Sequence, residues 1–251
     1  MTKQTHSIYG IHAVNSLLDV NPQRIIRLFI SKERMDNKIQ AILDSAGALK
    51  ISVELTTRDR LTDMIQSDRH QGVIAMCHPA KQLSENDLSK LVENISGPAL
   101  FLILDGIQDP HNLGACLRTA DAAGVHAVIA PKDRSASLND TVAKVASGAA
   151  ETVPFIQVTN LARTMTFLKE NNIWIYGAAA EATKTLYEEK LTGSIALVLG
   201  AEGTGLRRLT QERCDGLLKI PMQGSVSSLN VSVATGIFLF EVVRQREGMK
   251  F

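Results

Sequence analysis

At 251 residues and 45% hydrophobic, the chain holds enough apolar material for a core without staples, in one large domain or two small ones. Its 27 Lys and Arg against 26 Asp and Glu leave a net charge of +1, which excludes a polycationic nucleic-acid binder but not a local basic face. Three distant cysteines, Cys77, Cys116 and Cys214, signal neither a disulfide framework nor a zinc site, and no apolar run suits a signal peptide or a membrane span, so the expectation is a cytoplasmic protein with no membrane partner.

Residues 7–78 read as a small α/β unit. The expected elements are a helix near 10–18, a strand at 25–30, a helix at 37–46, a strand near 51–55, a helix at 58–65 and a strand at 72–77. From Pro79 to Pro98 the chain turns polar around a short amphipathic stretch, Leu88 to Val92, and reads as a linker. The expected division is therefore a domain at 1–78, a linker at 79–97 and a domain at 98–251. Beyond Pro98, apolar runs at 99–104, 127–130, 153–158, 174–178, 195–199 and 217–220 are too continuous for half-exposed strands. They imply a mostly parallel sheet covered on both faces, with a ligand at the carboxyl ends of its strands.

Charge differs between the parts. Residues 1–79 carry 10 basic and 8 acidic residues, whereas residues 97–251 carry 15 of each. The amino-terminal unit is thus mildly basic, which fits either an ordinary solvated surface or an RNA-contacting face. It holds four of the six histidines, His6, His12, His70 and His78, with no metal-ligand spacing.

Three segments at strand ends could carry chemistry. In the first, Asp109 and Pro110 are a helix cap and first helical residue, which places Asn112 in the first turn and Arg118 two turns on. The cap explains Asp109 and Pro110; a helix packed on a buried sheet has less need of Asn112 and Arg118. In the second, Gly200, Gly203 and Gly205 bracket Ala201, Glu202 and Thr204 after the apolar Leu197 to Leu199. Their spacing is not that of a dinucleotide fingerprint, and Glu202 is either a turn residue or an arginine partner. In the third, Ile220-Pro221-Met222 leads into Ser225, Ser227, Ser228, Leu229 and Asn230 before a long apolar helix. Ser228 is a good helix cap, yet one cap does not need four polar side chains.

Taken together, Asp109 to Gly114 with Arg118, Leu199 to Leu206, and Ile220 to Asn230 resemble, in this order, the three signature motifs of the SpoU/TrmH (SPOUT) RNA 2′-O-ribose methyltransferases. Ile8 to Val14 and His70 to Ala75 extend the resemblance over nearly the whole chain, toward members that modify a guanosine of large-subunit ribosomal RNA. The resemblance implies an α/β SPOUT catalytic domain with a deep trefoil knot, preceded by a small L30e-like RNA-binding domain. It implies S-adenosyl-L-methionine as cofactor, held by Leu199, Gly200, Ala201, Ile220, Met222, Ser228 and Leu229. It further implies a homodimer through the catalytic domain, with an active site drawing on both chains. The expected activity is methylation of the ribose 2′-hydroxyl of one guanosine in the peptidyl-transferase region of 23S rRNA, as naked rRNA or as a large-subunit assembly intermediate.

The expected catalytic residues are Arg118, Asn112, Glu202, Ser228 and Asn230, with no metal. Arg118 is the residue usually proposed to activate the hydroxyl. A guanidinium stays protonated in proteins, so phosphate or oxyanion binding is the role its chemistry suits better. The resemblance leaves two competitors, a same-fold enzyme acting on tRNA and an RNA-binding protein without activity; the presence of Asn112, Arg118, Ser228 and Asn230 argues against the second.

Overall fold

The computed structural model describes residues 5–78, 83–201 and 203–248. These fall into two compact units: residues up to 78 together with Ser147–Thr152, and the remainder.

The first unit contains β1 (His6–Tyr9), α1 (Ile11–Val20), β2 (Ile25–Ser31), α2 (Asn37–Ala48), β3 (Val53–Thr56), α3 (Arg58–Ile65) and β4 (Val73–Cys77). Its four strands lie in the order β1-β4-β2-β3. Only β2 and β3, joined through α2, run parallel; β4 pairs antiparallel with both β1 and β2. Alternation along β2 sends Leu28 and Ile30 into the main core with Val14, Leu17, Ile39 and Ile42, and Phe29 to the opposite face with Leu61 and Ile74. Strand β1 is absent from the sequence expectations, since it opens on the exposed His6 and Ser7 and shows no apolar run.

The two amino-terminal motifs meet here. Helix α1 has Gly10 as its N-cap, at φ +92° and with no capping side chain, and the Gln71 side-chain oxygen accepts the hydrogen bond of the Ile11 N–H (3.0 Å) instead. His70 is fully buried beside it: Nδ1 accepts from the Gly72 N–H (3.0 Å) and Nε2 lies 3.2 Å from Thr62 Oγ1. An Nδ1 acceptor fixes the neutral tautomer with the proton on Nε2.

The second unit contains α4 (Glu85–Asn94), β5 (Leu100–Asp105), α5 (Pro110–Ala122), β6 (Ala127–Pro131) and α6 (Asp140–Ala146). After α7 (Ala149–Thr152), which groups with the first unit, come β7 (Phe155–Val158), α8 (Leu161–Glu170), β8 (Trp174–Ala178), β9 (Lys184–Thr185), β10 (Ile195–Gly200), α9 (Arg208–Glu212), β11 (Gly216–Lys219) and α10 (Val231–Arg246). Seven strands lie in the order β7-β6-β5-β10-β8-β11-β9, and every pair is parallel, as the continuous apolar runs imply. Phe101, Ile103, Ile129, Ile156, Ile175 and Val198 form the centre of its core. Part of the stretch expected as a linker is helical: a capping box at Ser84 and Asp87 starts α4, and Leu88 is buried in this core. The start of α5 at Asp109 and Pro110 is as expected. The cap of α10 is not Ser228 but Asn230, whose side chain accepts from the Ser232 N–H at 2.9 Å. At the far end of α10 the Arg246 guanidinium donates to the carbonyls of Pro98 (3.2 Å), Ala99 (2.8 Å) and Gly193 (2.7 Å), tying the helix to the start of β5.

Burial, with the Arg58 charge adding to it, pushes His70 below its ordinary value of 6.5. The unfolded chain therefore takes up this proton before the folded one does, so the stability of the first unit is complete above the ordinary histidine value and falls as pH drops below it. Urea unfolding followed between about pH 7.5 and pH 5 should show this loss, and the His70→Gln variant should show a flatter profile.

Candidate active site

The carboxyl ends of β8, β10 and β11 open into a cleft of about 1000 Å³. Its walls are the loop after β8 (Ala178 to Glu181), the end of β10 with the following turn (Leu199 to Ala201, Gly203 to Leu206), the segment Leu218 to Met222, and Ser227 to Leu229. Ala234 and Phe238 of α10 and Gln211 of α9 complete it. A smaller pocket of about 330 Å³ adjoins it, lined by Gly106 to Asp109, Asn112, Ala201, Thr204 and Val231. Ala201, Thr204 and Val231 line both, so they form the partition between the lobes.

The partition is built from backbone. Gly205 N–H donates to the Ala201 carbonyl (2.9 Å), and the turn between them uses Gly203 at φ +78° and Gly205 at φ +63°. This folds the chain back onto β10 so closely that a Cβ on Gly200 would stand 2.1 Å from the Gly205 carbonyl oxygen. Gly200 thus has a packing reason of its own, in addition to any approach of a ligand.

Leu199, Gly200, Ala201, Ile220, Met222, Ser228 and Leu229 all line the large lobe. Asn112 lines the small one, and Asn230 Nδ2 donates to Asn112 Oδ1 at 3.0 Å across 118 positions of sequence. The same Asn230 side chain caps α10 through its oxygen, which fixes the orientation of the amide. Arg118 is not brought to either lobe. It is exposed on α5, six residues beyond Asn112, and makes no hydrogen bond or ion pair among the described residues. Glu202 lies outside the described residues.

Sequence reasoning missed the loop Ala178 to Glu181, whose Glu181 accepts from Gln211 Nε2 (3.1 Å), and the pair formed by Asp105 and Arg207. For Asp105 and the Ala178 loop, position at a strand end was the available signal; Arg207 carried none. The cysteines do not contribute a nucleophile: burial pushes the Cys116 thiol up to about 11 and those of Cys77 and Cys214 up to about 12. Among the described residues no group of three or more His, Cys, Asp and Glu side chains is placed to hold a metal ion, and no helix is long and apolar enough to cross a membrane.

A parallel sheet with two adjoining lobes at its carboxyl edge is the ligand crevice of an α/β enzyme. The chain belongs to the SpoU rRNA Methylase family, whose profile matches residues 99–240; residues 7–83 match the profile described as RNA 2′-O ribose methyltransferase substrate binding. It is 58% identical over 245 residues to the 23S rRNA (guanosine-2′-O-)-methyltransferase RlmB of Haemophilus influenzae, covering 97% of this chain and 99% of that one. The RlmB of Escherichia coli K12 is 59% identical over 239 residues, 95% of this chain and 98% of its own. The fold is similar to that of the SpoU methyltransferase AviRb from Streptomyces viridochromogenes, solved in complex with AdoMet, with a TM-score of 0.79 at 21% identity over 97% of this chain and 91% of that one.

Gly200→Ala places a methyl group against backbone that cannot rotate away, and should destabilise the second unit by about 3 kcal/mol while opening the 201–205 turn. Thermal unfolding would register this as a clear fall in Tm; an unchanged Tm would show that the turn relaxes freely.

Proposed function

We propose that the chain methylates the ribose 2′-hydroxyl of a guanosine in 23S rRNA, in the peptidyl-transferase region, using S-adenosyl-L-methionine. The observation that carries this reading is the two-lobed cleft, in which one lobe suits a cofactor, the other suits a nucleotide, and the two share a thin wall. The large lobe fits the cofactor chemically. Leu199, Ile220, Leu229 and Phe238 offer apolar faces to an adenine, the adjoining main chain offers groups for its edges, and Glu181, Gln211, Ser227 and Ser228 offer polar contacts for ribose and amino-acid ends. When bound, this cofactor supplies an electrophilic methyl group.

The chain's own residues then do the positioning on which an in-line displacement depends. Asn112, which lines the small lobe, and Asn230, which bonds it, orient the acceptor ribose in this reading. Ser228 stands at the mouth of the large lobe, and Glu202 is assigned to the same group by family resemblance. Arg118 completes the site from a second copy of the chain, where it holds a phosphate or the developing oxyanion. A dimer through the second unit is supported by α10, which buries Phe238, Leu239 and Val242 yet leaves Val233 and Phe240 about half exposed at helical spacing. Thr119, the neighbour of Arg118, packs against Gly236 in the middle of that stripe.

The segment from β11 into α10 threads a loop as a deep trefoil knot in this reading, and the first unit is the L30e-like reader of RNA. Two described arginines of that unit are exposed on either side of one acid: Arg27 and Arg60 each lie 3.0 Å from Glu54. Arg58 and Arg69 are exposed as well, whereas Arg24 is taken up by Glu151 and the His78 carbonyl. The protein acts in the cytoplasm, on rRNA or on an assembly intermediate of the large subunit.

Labelled methyl transfer to unmodified transcripts of 23S rRNA and of bulk tRNA tests the substrate. Label at a single guanosine of 23S rRNA is expected; label confined to tRNA would contradict the substrate while keeping the chemistry. Arg118→Ala and Asn230→Ala should each lower kcat at least a hundredfold. Refolding the two variants together should restore about a quarter of the wild-type activity, since half the dimers would then carry one intact site. No recovery would contradict a site shared between chains.

A further inference from the structure

At the end of β5, in register with Gly200, Asp105 is a carboxylate with no exposed side-chain surface. One oxygen, Oδ2, accepts from the Arg207 N–H (3.1 Å), whereas Oδ1 has no hydrogen bond and stands 3.5 Å from Arg207 Nε. An arginine and a carboxylate that exist only to stabilise each other close a bidentate pair near 2.8 Å, and a buried oxygen left without a donor is costly. Here the attraction is kept and the hydrogen bond is not made. Arg207 itself is 43% exposed, and its terminal nitrogens have no hydrogen-bond partner among the described residues.

The guanidinium lies over Gly106, where a Cβ would come within 3.1 Å of Arg207 Nη2, and Gly106 sits at φ +83° to allow the turn beneath it. Gly106 lines the small lobe, beside Asn112. Next to it, the Ile107 carbonyl accepts from the Ala136 N–H (2.7 Å), which fastens the loop bearing Lys132 and Arg134 to the same rim. A half-exposed positive charge is therefore held over Gly106, a residue that lines the small lobe.

We propose that Arg207, positioned by Asp105, is the anchor for an RNA phosphate next to the acceptor nucleotide. The proposal rests on the reading of the small lobe as the acceptor site. It gives each chain a cation of its own beside that lobe, distinct from Arg118, and it gives the orphaned Asp105 oxygen a reason: the carboxylate localises the charge by attraction without taking up a guanidinium donor.

The test uses the full-length protein and the unmodified 23S rRNA transcript, with RNA affinity measured across salt concentrations alongside steady-state kinetics and S-adenosylhomocysteine binding. Arg207→Ala should raise KM for the transcript roughly tenfold with kcat within about twofold, and reduce the salt slope of binding by about 0.7 to 1, the loss of one phosphate contact. Arg207→Lys should keep the wild-type slope. S-adenosylhomocysteine affinity should be unchanged in both, and Tm should fall in Arg207→Ala, which strips the buried Asp105 carboxylate of its counter-charge, but hold in Arg207→Lys. A fall in Tm and in S-adenosylhomocysteine affinity at an unchanged salt slope would make Arg207 a pin for the 201–205 turn and overturn the proposal, as would an Arg207→Lys slope as low as that of Arg207→Ala. A wild-type protein that leaves the transcript unmethylated would overturn the reading of the lobe itself, and the proposal with it.

Discussion

The return of residues 201–205 onto the end of β10 is the constraint from which the site follows. It needs a residue without a side chain at Gly200, two left-handed positions at Gly203 and Gly205, and one backbone hydrogen bond from Gly205 to Ala201. Those requirements place Ala201 and Thr204 between two lobes that would otherwise be one opening. They also bring Arg207 back over β5, because the chain leaving the turn must pass the Asp105 carboxylate before α9 begins. A parallel sheet supplies the crevice; the turn divides it.

The rest of the second unit holds that turn still. Asn230 ends one wall by capping α10 and reaches Asn112 at the start of α5, so the two helices that flank the small lobe are tied at their amino-terminal ends. Cys116 and Thr235, with sulfur and hydroxyl 3.4 Å apart, continue the same contact one turn along. Gly114 lets α5 approach α6 closely, since a Cβ there would lie 2.7 Å from Val145. Arg246 fastens the opposite end of α10 to the entry of β5. Asn112 and Asn230 are thus held by helix starts and by each other, which is the arrangement that positional catalysis requires, whereas Ser228 stands on an exposed segment.

How much of this could be read from the sequence depended on the range of the interaction. The parallel sheet was legible because strands buried on both faces leave unbroken apolar runs, and the start of α5 was legible because cap and proline adjoin it. The two-residue β9 is too short to leave a pattern, and β1 opens on the exposed His6 and Ser7 with no apolar run. The sequence offers Ser and Asn alike as caps of α10, with Ser228 a good one; Asn230, which also bonds Asn112, takes the position. Part of the expected linker is helical because Leu88, Leu91 and Val92 follow a capping box and find a core to join. Arg118 is expected at the site and lies exposed on α5, outside both lobes, because α5 starts at the small lobe and carries later residues away from it. Asp105 and Arg207 are 102 residues apart, and neither has a neighbour in sequence that hints at the other.

The central claim, that the lobe between the 199–206 turn and the 218–230 segment holds the cofactor, is tested most directly by hydrogen exchange of the protein with and without S-adenosylhomocysteine. The account predicts slowed exchange confined to those two segments and to the loop Ala178 to Glu181, with little change in the first unit. Binding accompanied by protection elsewhere, with these segments unaffected, would contradict it.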